Sequence, residues 1–190
     1  MPRDDAERVH PATVEQWRDW LAEHHTRTRG VWLVTWRTGS GHEQLDYEEQ
    51  VLEALAYGWI DSTRKVLDHE RVMMWFAPRR ARSTWVRNNK ERVARLEAEG
   101  RMQPAGRAVV AAAQANGMWT LLDDAEAGIV SADLATALDA DLAARAAWDA
   151  LTPGVRKAAL IGLAQARQEA TRAARIAKIV QACARGDKPT

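Results

Sequence analysis

Cysteine is almost absent from this sequence, which contains only Cys183 among 190 residues. A lone cysteine cannot form an intramolecular disulfide or contribute to a thiolate metal cluster, so disulfide-stapled scaffolds and structural zinc modules are not expected. No apolar run approaches the roughly 18 residues that a membrane-spanning helix needs. Residues 1–5 are too polar to begin a secretory signal. These absences predict a cytoplasmic protein without membrane insertion.

The short motifs of several common enzyme classes are also missing. The sequence has no G-x-x-x-x-G-K-[ST], no G-x-G-x-x-G after a strand, no G-x-S-x-G and no H-E-x-x-H. Nucleotide hydrolysis, dinucleotide redox chemistry and classical acyl transfer therefore lose support. His24 and His25 are adjacent on a predicted helix and diverge by about 100°, so they cannot hold one metal ion together. We expect no metal and no cofactor.

The composition is that of a folded globular chain. Hydrophobic residues make up 46% of the sequence and charged residues 28%, which is far from disordered or collagen-like compositions. The length favours one domain, or two small ones sharing a core.

The net charge of +1 conceals four blocks of alternating sign. The net charge is −5 over residues 1–78, +6 over 79–107, −6 over 108–155 and +6 over 156–190. Basic blocks can bind anionic ligands, nucleic acid or lipid, and they can equally pair with acidic blocks of the same protein. We favour the internal or solvated interpretation.

The N-terminal half alternates helical and strand-like segments. Thr13 with Gln16 and Asp46 with Glu49 have capping-box spacing, and each pair precedes a helical apolar pattern. The β-branched and aromatic run 31–36 predicts a strand that is covered on both faces. Residues 64–67 and 71–76 predict a hairpin that closes at Pro78.

The C-terminal half is helical throughout, with punctuation at proline, glycine and serine. Helices are predicted at about 88–99, 104–116, 131–139, 141–150, 153–166 and 168–185. The fold class is therefore α+β, with a small antiparallel sheet backed by helices. We place the α+β portion and the candidate site in residues 1–100, and a helical portion on the same core in residues 101–190.

Tryptophan is unusually frequent, with 9 Trp against 2 Tyr and 1 Phe. One interpretation is a bulky aromatic core in which each indole N–H finds a hydrogen-bond partner. The other is a ligand pocket walled by indole rings, which suits a flat or cationic ligand.

The densest polar constellation joins the end of the second helix to the segment that follows the hairpin. Asp61 is its acidic member, and it could act as a general acid or base. Arg79 and Arg80 leave a strand at Pro78, where their guanidinium groups suit a carboxylate or phosphate. The other candidate ligand-binding residues are Tyr57, Trp59, Trp75, Ser83, Trp85 and Asn89. The alternative is a structural ion pair between Asp61 and an arginine, with Ser83 or Asn89 capping the next helix.

These segments resemble the YdeI/OmpD-associated, bacteriocin-protection family. The resemblance rests on Gly58-Trp59-Ile60-Asp61, Phe76-Ala77-Pro78-Arg79-Arg80, Ser83-x-Trp85, Asn89-Lys90-x-Arg92-Val93, Gly100-Arg101-Met102, Pro104-Ala105-Gly106, Leu151-Thr152-Pro153, Arg156-Lys157 and Thr171-Arg172-x-x-Arg175-Ile176. It covers roughly residues 12–186. Ser62 stands where the family often has Gly, and Val86-Arg87 where it often has Ser-Lys. The resemblance implies a bacterial cytoplasmic protein connected with tolerance of antibacterial agents, and it implies no agreed catalytic mechanism.

Three functions are compatible with the sequence. The first is binding of a small anionic or peptide-derived ligand at the Arg79/Arg80 site. The second is an uncharacterised enzyme that uses Asp61 as general acid or base, with the arginines positioning substrate. The third is nucleic-acid binding through helix 87–101 or through Arg172, Arg175 and Lys178. It ranks last because the total charge is balanced and no nucleic-acid motif is present. The sequence leaves the oligomeric state open.

Overall fold

The computed structural model describes residues 5–189, and over this range the chain is an α+β protein, as predicted. Its contacts divide it into two compact units. Unit 1 comprises residues 5–83 and 88–116, and unit 2 comprises residues 84–87 and 117–189. Residues 1–4, part of the segment that we judged too polar for a secretory signal, lie outside the described residues. Between residues 5 and 189, no helix is both long and apolar enough to cross a bilayer.

Unit 1 contains a four-stranded sheet with the order β1-β2-β4-β3. The strands are β1 (Arg8–Val9), β2 (Val31–Trp36), β3 (Trp59–Val66) and β4 (Arg71–Pro78). β2 and β3 each pair antiparallel with β4, whereas β1 pairs parallel with β2. The sheet is therefore mixed, which corrects the expectation of an antiparallel sheet. β1 has only two residues, too few for a periodic signal in the sequence.

Strand β3 carries a bulge between Asp61 and Arg64. Asp61 pairs with Phe76 and Arg64 pairs with Met74, so three steps along β3 match two steps along β4. Directly paired residues of antiparallel strands lie on the same face of the sheet. The extra residue therefore brings Asp61 and Arg64 to the same face, although a regular strand would place them on opposite faces.

Two helices pack on that face of the sheet, and both begin where the capping pattern predicted. In α1 (Val14–His24), the Thr13 hydroxyl accepts a hydrogen bond from the Gln16 N–H at 3.3 Å. In α2 (Tyr47–Ala56), the Asp46 carboxylate accepts one from the Glu49 N–H at 3.0 Å. Their apolar sides complete a core with the sheet, built from Trp17, Leu21, Val31, Leu33, Leu45, Val51, Ala54, Trp59 and Phe76. A smaller cluster on the opposite face contains Trp32, Val34, Met73 and Trp75.

Two glycines allow the second half of unit 1 to approach α2 closely. Gly58 ends α2 with a φ of +80°, a backbone conformation that glycine adopts without steric cost. Gly106, on α4 (Pro104–Ala115), lies so close to α2 that an added Cβ would meet the Ala56 carbonyl oxygen at 2.2 Å. Because of this packing, α4 belongs to unit 1 with α3 (Arg87–Ala98). The contacts thus divide the chain after residue 116, whereas our sequence division falls at residue 100.

The described part of unit 2 is helical. Its elements are α5 (Asp123–Glu126), α6 (Ala132–Asp139), α7 (Leu142–Ala150), α8 (Pro153–Ala164) and α9 (Glu169–Ala184). Their buried residues form one apolar cluster that includes Leu134, Leu138, Trp148, Leu160 and Cys183. The boundaries of α6 to α9 lie within two residues of the predicted ones. The short helix α5 was not predicted.

Ion pairs inside each unit connect the blocks of opposite charge, as the internal interpretation predicted. In unit 1, Arg92 pairs with Glu48 at 2.6 Å and Arg101 pairs with Glu49 at 2.7 Å. In unit 2, Arg172 pairs with Asp133 at 2.5 Å. Many of the cations that could have contacted an external polyanion are therefore neutralised within the protein.

Candidate functional site

Asp61 is the centre of a polar cluster in unit 1 that α2, β3, β4 and α3 build together. The Tyr47 hydroxyl, at the start of α2, donates a hydrogen bond to Oδ2 of Asp61 at 2.8 Å. Burial, reinforced by this hydrogen bond, raises the pKa of Tyr47 to about 12. Tyr47 is therefore held in its protonated, donating form at neutral pH.

Arg79, which follows β4, is buried and only 8% exposed. Burial lowers the pKa of Arg79 to about 10, and the negative charge of Asp61 acts in the opposite direction. The Arg79 backbone N–H donates to the Gly58 carbonyl at 2.9 Å, which fixes the chain where it leaves β4. The structure thus brings together Asp61 and Arg79, two residues that the sequence analysis singled out as possible partners.

Helix α3 contributes the remaining members of the cluster. Arg92 donates two hydrogen bonds to the Glu48 carboxylate, at 2.8 and 2.6 Å, and a third to Oδ1 of the buried Asn89 at 2.9 Å. The Glu48 carboxylate, through this bidentate bond, is the main reason that the pKa of Arg92 is raised, and Tyr47 and Asp61 raise it further. Asn89 therefore helps to hold Arg92 in place.

The predicted tryptophans do not form one wall. Trp59 is 1% exposed, and its indole N–H donates to the His25 carbonyl at 3.1 Å. Trp75 lies on the opposite face of the sheet, with its ring 5.2 Å from that of Trp32. Trp85 belongs to unit 2, where its ring lies 4.9 Å from that of Trp119. In these contacts the indoles serve as packing groups.

The other predicted ligand-binding residues lie in local structural contacts or on the surface. Tyr57 follows α2, and its ring lies 5.6 Å from that of His25. Arg80 is exposed, and its backbone N–H donates to the Ser83 hydroxyl at 3.2 Å while the Ser83 N–H donates back to the Arg80 carbonyl at 2.9 Å. Ser83 thus closes a turn after β4.

A cavity of about 700 Å³ lies beside the Asp61 cluster. The start of α2 and the strands β2, β3 and β4 line it. The β-sheet supplies Thr35, Val72 and Met74, and α2 supplies Tyr47 and Gln50. The cavity therefore shares the Tyr47 side chain with the Asp61 cluster.

Three exposed charged residues line this cavity and mark its mouth. Arg37 follows β2, Arg64 lies on β3, and Asp46 precedes α2 as its N-cap. Trp36 also contributes to the wall, and its ring stacks on that of His42 with centroids 3.9 Å apart. Sequence reasoning missed the cavity residues because they come from four separate elements, and only the registers of β2 and β3 against β4 assign the strand residues to one face.

Two buried polar side chains turn into the cavity. Thr35 is 7% exposed and Gln50 is 5% exposed. The Gln50 amide donates to the Leu45 carbonyl at 2.8 Å. Its Oε1 atom and the Thr35 hydroxyl make no hydrogen bond to the part of the chain that the structure describes. Both remain able to bind a ligand or solvent.

The described residues contain no group of three or more His, Cys, Asp or Glu side chains that could hold a metal ion.

Comparison with known families gives two matches. A model described as Domain of unknown function (DUF8412) matches residues 9–109, which is more than half of the chain. The chain belongs to the DUF8412 family. A second model, described as Bacteriocin-protection, YdeI or OmpD-Associated, matches residues 127–186. No curated protein and no solved structure matches the chain.

The two matches follow the two structural units. The DUF8412 match falls almost wholly in unit 1 and contains the Asp61 cluster and the cavity, whereas the YdeI/OmpD-associated match falls in unit 2. The resemblance to the YdeI/OmpD-associated family is confirmed for this C-terminal part. The motifs between Gly58 and Gly106 lie in the DUF8412 match.

Proposed function

We propose that this DUF8412 protein binds a small anionic or peptide-derived ligand in the cavity of unit 1. The observation that carries the proposal is that two polar residues of low exposure, Thr35 and Gln50, line the cavity, and that the Thr35 hydroxyl and Oε1 of Gln50 make no hydrogen bond within residues 5–189. Both atoms are therefore available to form hydrogen bonds with a ligand that enters the cavity.

Two arginines at the mouth supply the positive charge. Arg64 is exposed and makes neither an ion pair nor a side-chain hydrogen bond within residues 5–189. Arg37 donates one long hydrogen bond, of 3.4 Å, to the His69 carbonyl. A guanidinium group presents parallel N–H donors that suit a carboxylate. In this proposal Arg37 and Arg64 take the anion-binding role that the sequence analysis assigned to Arg79 and Arg80.

Asp61 and Arg79 keep a place in the proposal as positioning residues. Asp61 orients the Tyr47 hydroxyl at the cavity wall, and the buried guanidinium of Arg79 balances the charge of Asp61. Neither residue needs to touch the ligand to support binding.

Calorimetric titration of small carboxylic acids and short peptides tests the proposal. We expect at least one compound to bind, and we expect Arg64→Ala and Arg37→Ala each to weaken it about tenfold or more, because each removes a charge-assisted bond. Arg82→Ala is the matched control, since Arg82 is an exposed arginine of unit 1 outside the cavity. The proposal fails if no compound binds or if the Arg37 and Arg64 variants bind like the control.

The Tyr47–Asp61 hydrogen bond favours a second candidate function, an enzyme in which Asp61 exchanges a proton with substrate through the Tyr47 hydroxyl. A protonated phenol paired with a carboxylate is a recognised acid-base arrangement. If a cavity ligand is also turned over, Asp61→Asn and Tyr47→Phe should abolish turnover while affinity persists. Turnover at the wild-type rate in both variants would exclude this candidate function.

A further inference from the structure

We propose that the ligand of the unit 1 cavity is a small zwitterion, an amino acid or short peptide with a free ammonium group and a free carboxylate. This inference rests on the proposed function and names the ligand class for the same site. Its basis is the presence of both signs of charge among the exposed residues that line the cavity, together with apolar and neutral polar lining groups.

The negative side of the mouth is Asp46. The first turn of α2 carries three carboxylates, of which Glu48 pairs with Arg92 and Glu49 pairs with Arg101. Asp46 lines the cavity, is exposed, and has no cationic partner within the described residues. Its cap bond to the Glu49 N–H uses Oδ1 alone. The other oxygen, Oδ2, is free to accept from an ammonium group.

The positive charge is supplied by Arg37, which follows β2, and by Arg64, which lies on β3. Arg37 lies opposite Glu70 and Arg64 opposite Met74, so the backbones that carry the two arginines are separated by two strand spacings across the sheet and by four residues along it, about 16 Å in all. Val72 and Met74 of β4 lie between them and line the cavity. The two guanidinium groups therefore border an apolar strip, which suits a ligand whose carboxylate is attached to a hydrophobic body.

The interior supplies groups that match a peptide bond. Oε1 of Gln50 is an amide oxygen and can only accept hydrogen bonds, while the nitrogen of the same amide donates to the Leu45 carbonyl. The Thr35 hydroxyl can donate or accept. An N–H donor and a carbonyl acceptor on one ligand would satisfy both side chains. A simple fatty acid offers no N–H for Gln50 and no cation for Asp46.

Calorimetry with leucine, leucyl-leucine and leucyl-leucyl-leucine, each compared with its N-acetyl form, tests the inference. Acetylation removes the ammonium charge and keeps the carboxylate. We expect at least one free form to bind at least tenfold more tightly than its acetylated form. In Asp46→Asn this preference should fall to less than threefold. Asparagine caps helices as well as aspartate does, so the variant removes the charge and keeps α2 intact.

Asp19→Asn is the matched control, because Asp19 is an exposed aspartate of unit 1 that lies outside the cavity. It should keep the full preference for the free form. Equal binding of the free and acetylated forms overturns the zwitterion inference and leaves the proposed function standing. The same holds if simple carboxylic acids bind and none of these peptides does. Absence of binding by every compound overturns both.

Discussion

The two units of this protein differ in what they bury. All five polar or charged residues that are more than nine-tenths buried within residues 5–189 belong to unit 1: Thr35, Gln50, Glu53, Arg79 and Asn89. In the described part of unit 2 the residues that reach this whole-residue burial are apolar. The Glu126 side chain, taken alone, is 5% exposed; it accepts a hydrogen bond from the Arg87 N–H and pairs with Lys157.

This difference separates packing from chemistry. Apolar side chains stabilise a core simply by leaving water. Buried polar groups contribute only when they are well partnered, and their arrangement is specific to one geometry. Unit 2 can therefore be explained by packing, whereas unit 1 also holds polar groups that packing does not require. For this reason the candidate site lies in unit 1.

Removing a buried carboxylate from unit 1 should have the largest effect. The Glu53 side chain is 3% exposed and accepts two hydrogen bonds from Arg18, at 2.9 and 2.6 Å, and one from Arg101 at 2.8 Å. Glu53→Ala leaves Arg101 without one of its partners in a water-poor site and should cost about 3–5 kcal/mol in the free energy of unfolding. Urea unfolding followed by circular dichroism measures it.

The matched control for Glu53 is Asp133→Ala in unit 2. Asp133 also accepts a bidentate bond from arginine, Arg172, but its side chain is 43% exposed. Its loss should cost about 0–1 kcal/mol because water screens the pair. Similar losses in the two variants would contradict the contrast between the units.

An apolar truncation should be the most costly kind of change in unit 2. Leu138 is fully buried in its core, and Leu138→Ala should cost about 3 kcal/mol through lost burial and the cavity left behind. Leu142→Ala, at a position 83% exposed, should stay within about 0.5 kcal/mol of the wild type. A small effect at Leu138 would show that unit 2 is not held by this core.

Loss of the Tyr47 hydroxyl should have a moderate effect on unit 1. Tyr47→Phe removes the hydrogen bond to the Asp61 carboxylate and keeps the ring. A hydrogen bond to a charged group is worth about 1.5–3 kcal/mol when buried. Because Tyr47 is 47% exposed, we expect about 1 kcal/mol. Tyr57→Phe serves as the control, since the hydroxyl of the second tyrosine has no hydrogen-bond partner within residues 5–189, and it should be nearly neutral.

The smallest effect concerns pH. Burial, with a further contribution from the positive charge of Arg71, lowers the pKa of His10 below its ordinary value of 6.5. The fold therefore favours neutral His10. Its contribution to stability is complete above pH 6.5 and is lost as the pH falls through the lowered pKa.

Thermal unfolding at pH 7.5 and pH 5.0 tests this sign. The fall in Tm between the two pH values should be slightly smaller in His10→Asn than in the wild type. His69→Asn, at a turn position whose side chain is 87% exposed, should leave the fall unchanged. A larger fall in Tm in His10→Asn than in the wild type would contradict the lowered pKa of His10.

Much of the fold was predictable because its signals are local. The caps at Thr13 and Asp46 and the prolines at the starts of α4 and α8 fix helix boundaries through neighbouring residues alone. The short elements were not predictable. β1 exists only through its pairing with β2, and α5 has four residues, too few for an apolar period.

The candidate site was predictable only in part. Asp61 and Arg79 come together because β3 and β4 form the predicted hairpin. Tyr47 and Gln50 escaped attention because nothing in their own sequence neighbourhood indicates that α2 lies over the sheet at this point. Trp59 and Trp75 could not be assigned to opposite faces, since that depends on the register across the hairpin and on an irregularity within β3.

That irregularity also determines where this sheet tolerates a change in chain length. Removal of Ser62 or Thr63 would leave an even step between Asp61 and Arg64, and both could keep their present partners, Phe76 and Met74. Adding one residue between Arg64 and Val66 would instead send Val66 to the other side of the sheet. The edge strand β3 thus has one residue more than its pairing with β4 requires. We expect single-residue deletions to be tolerated at Ser62 or Thr63 and at no other position within β3.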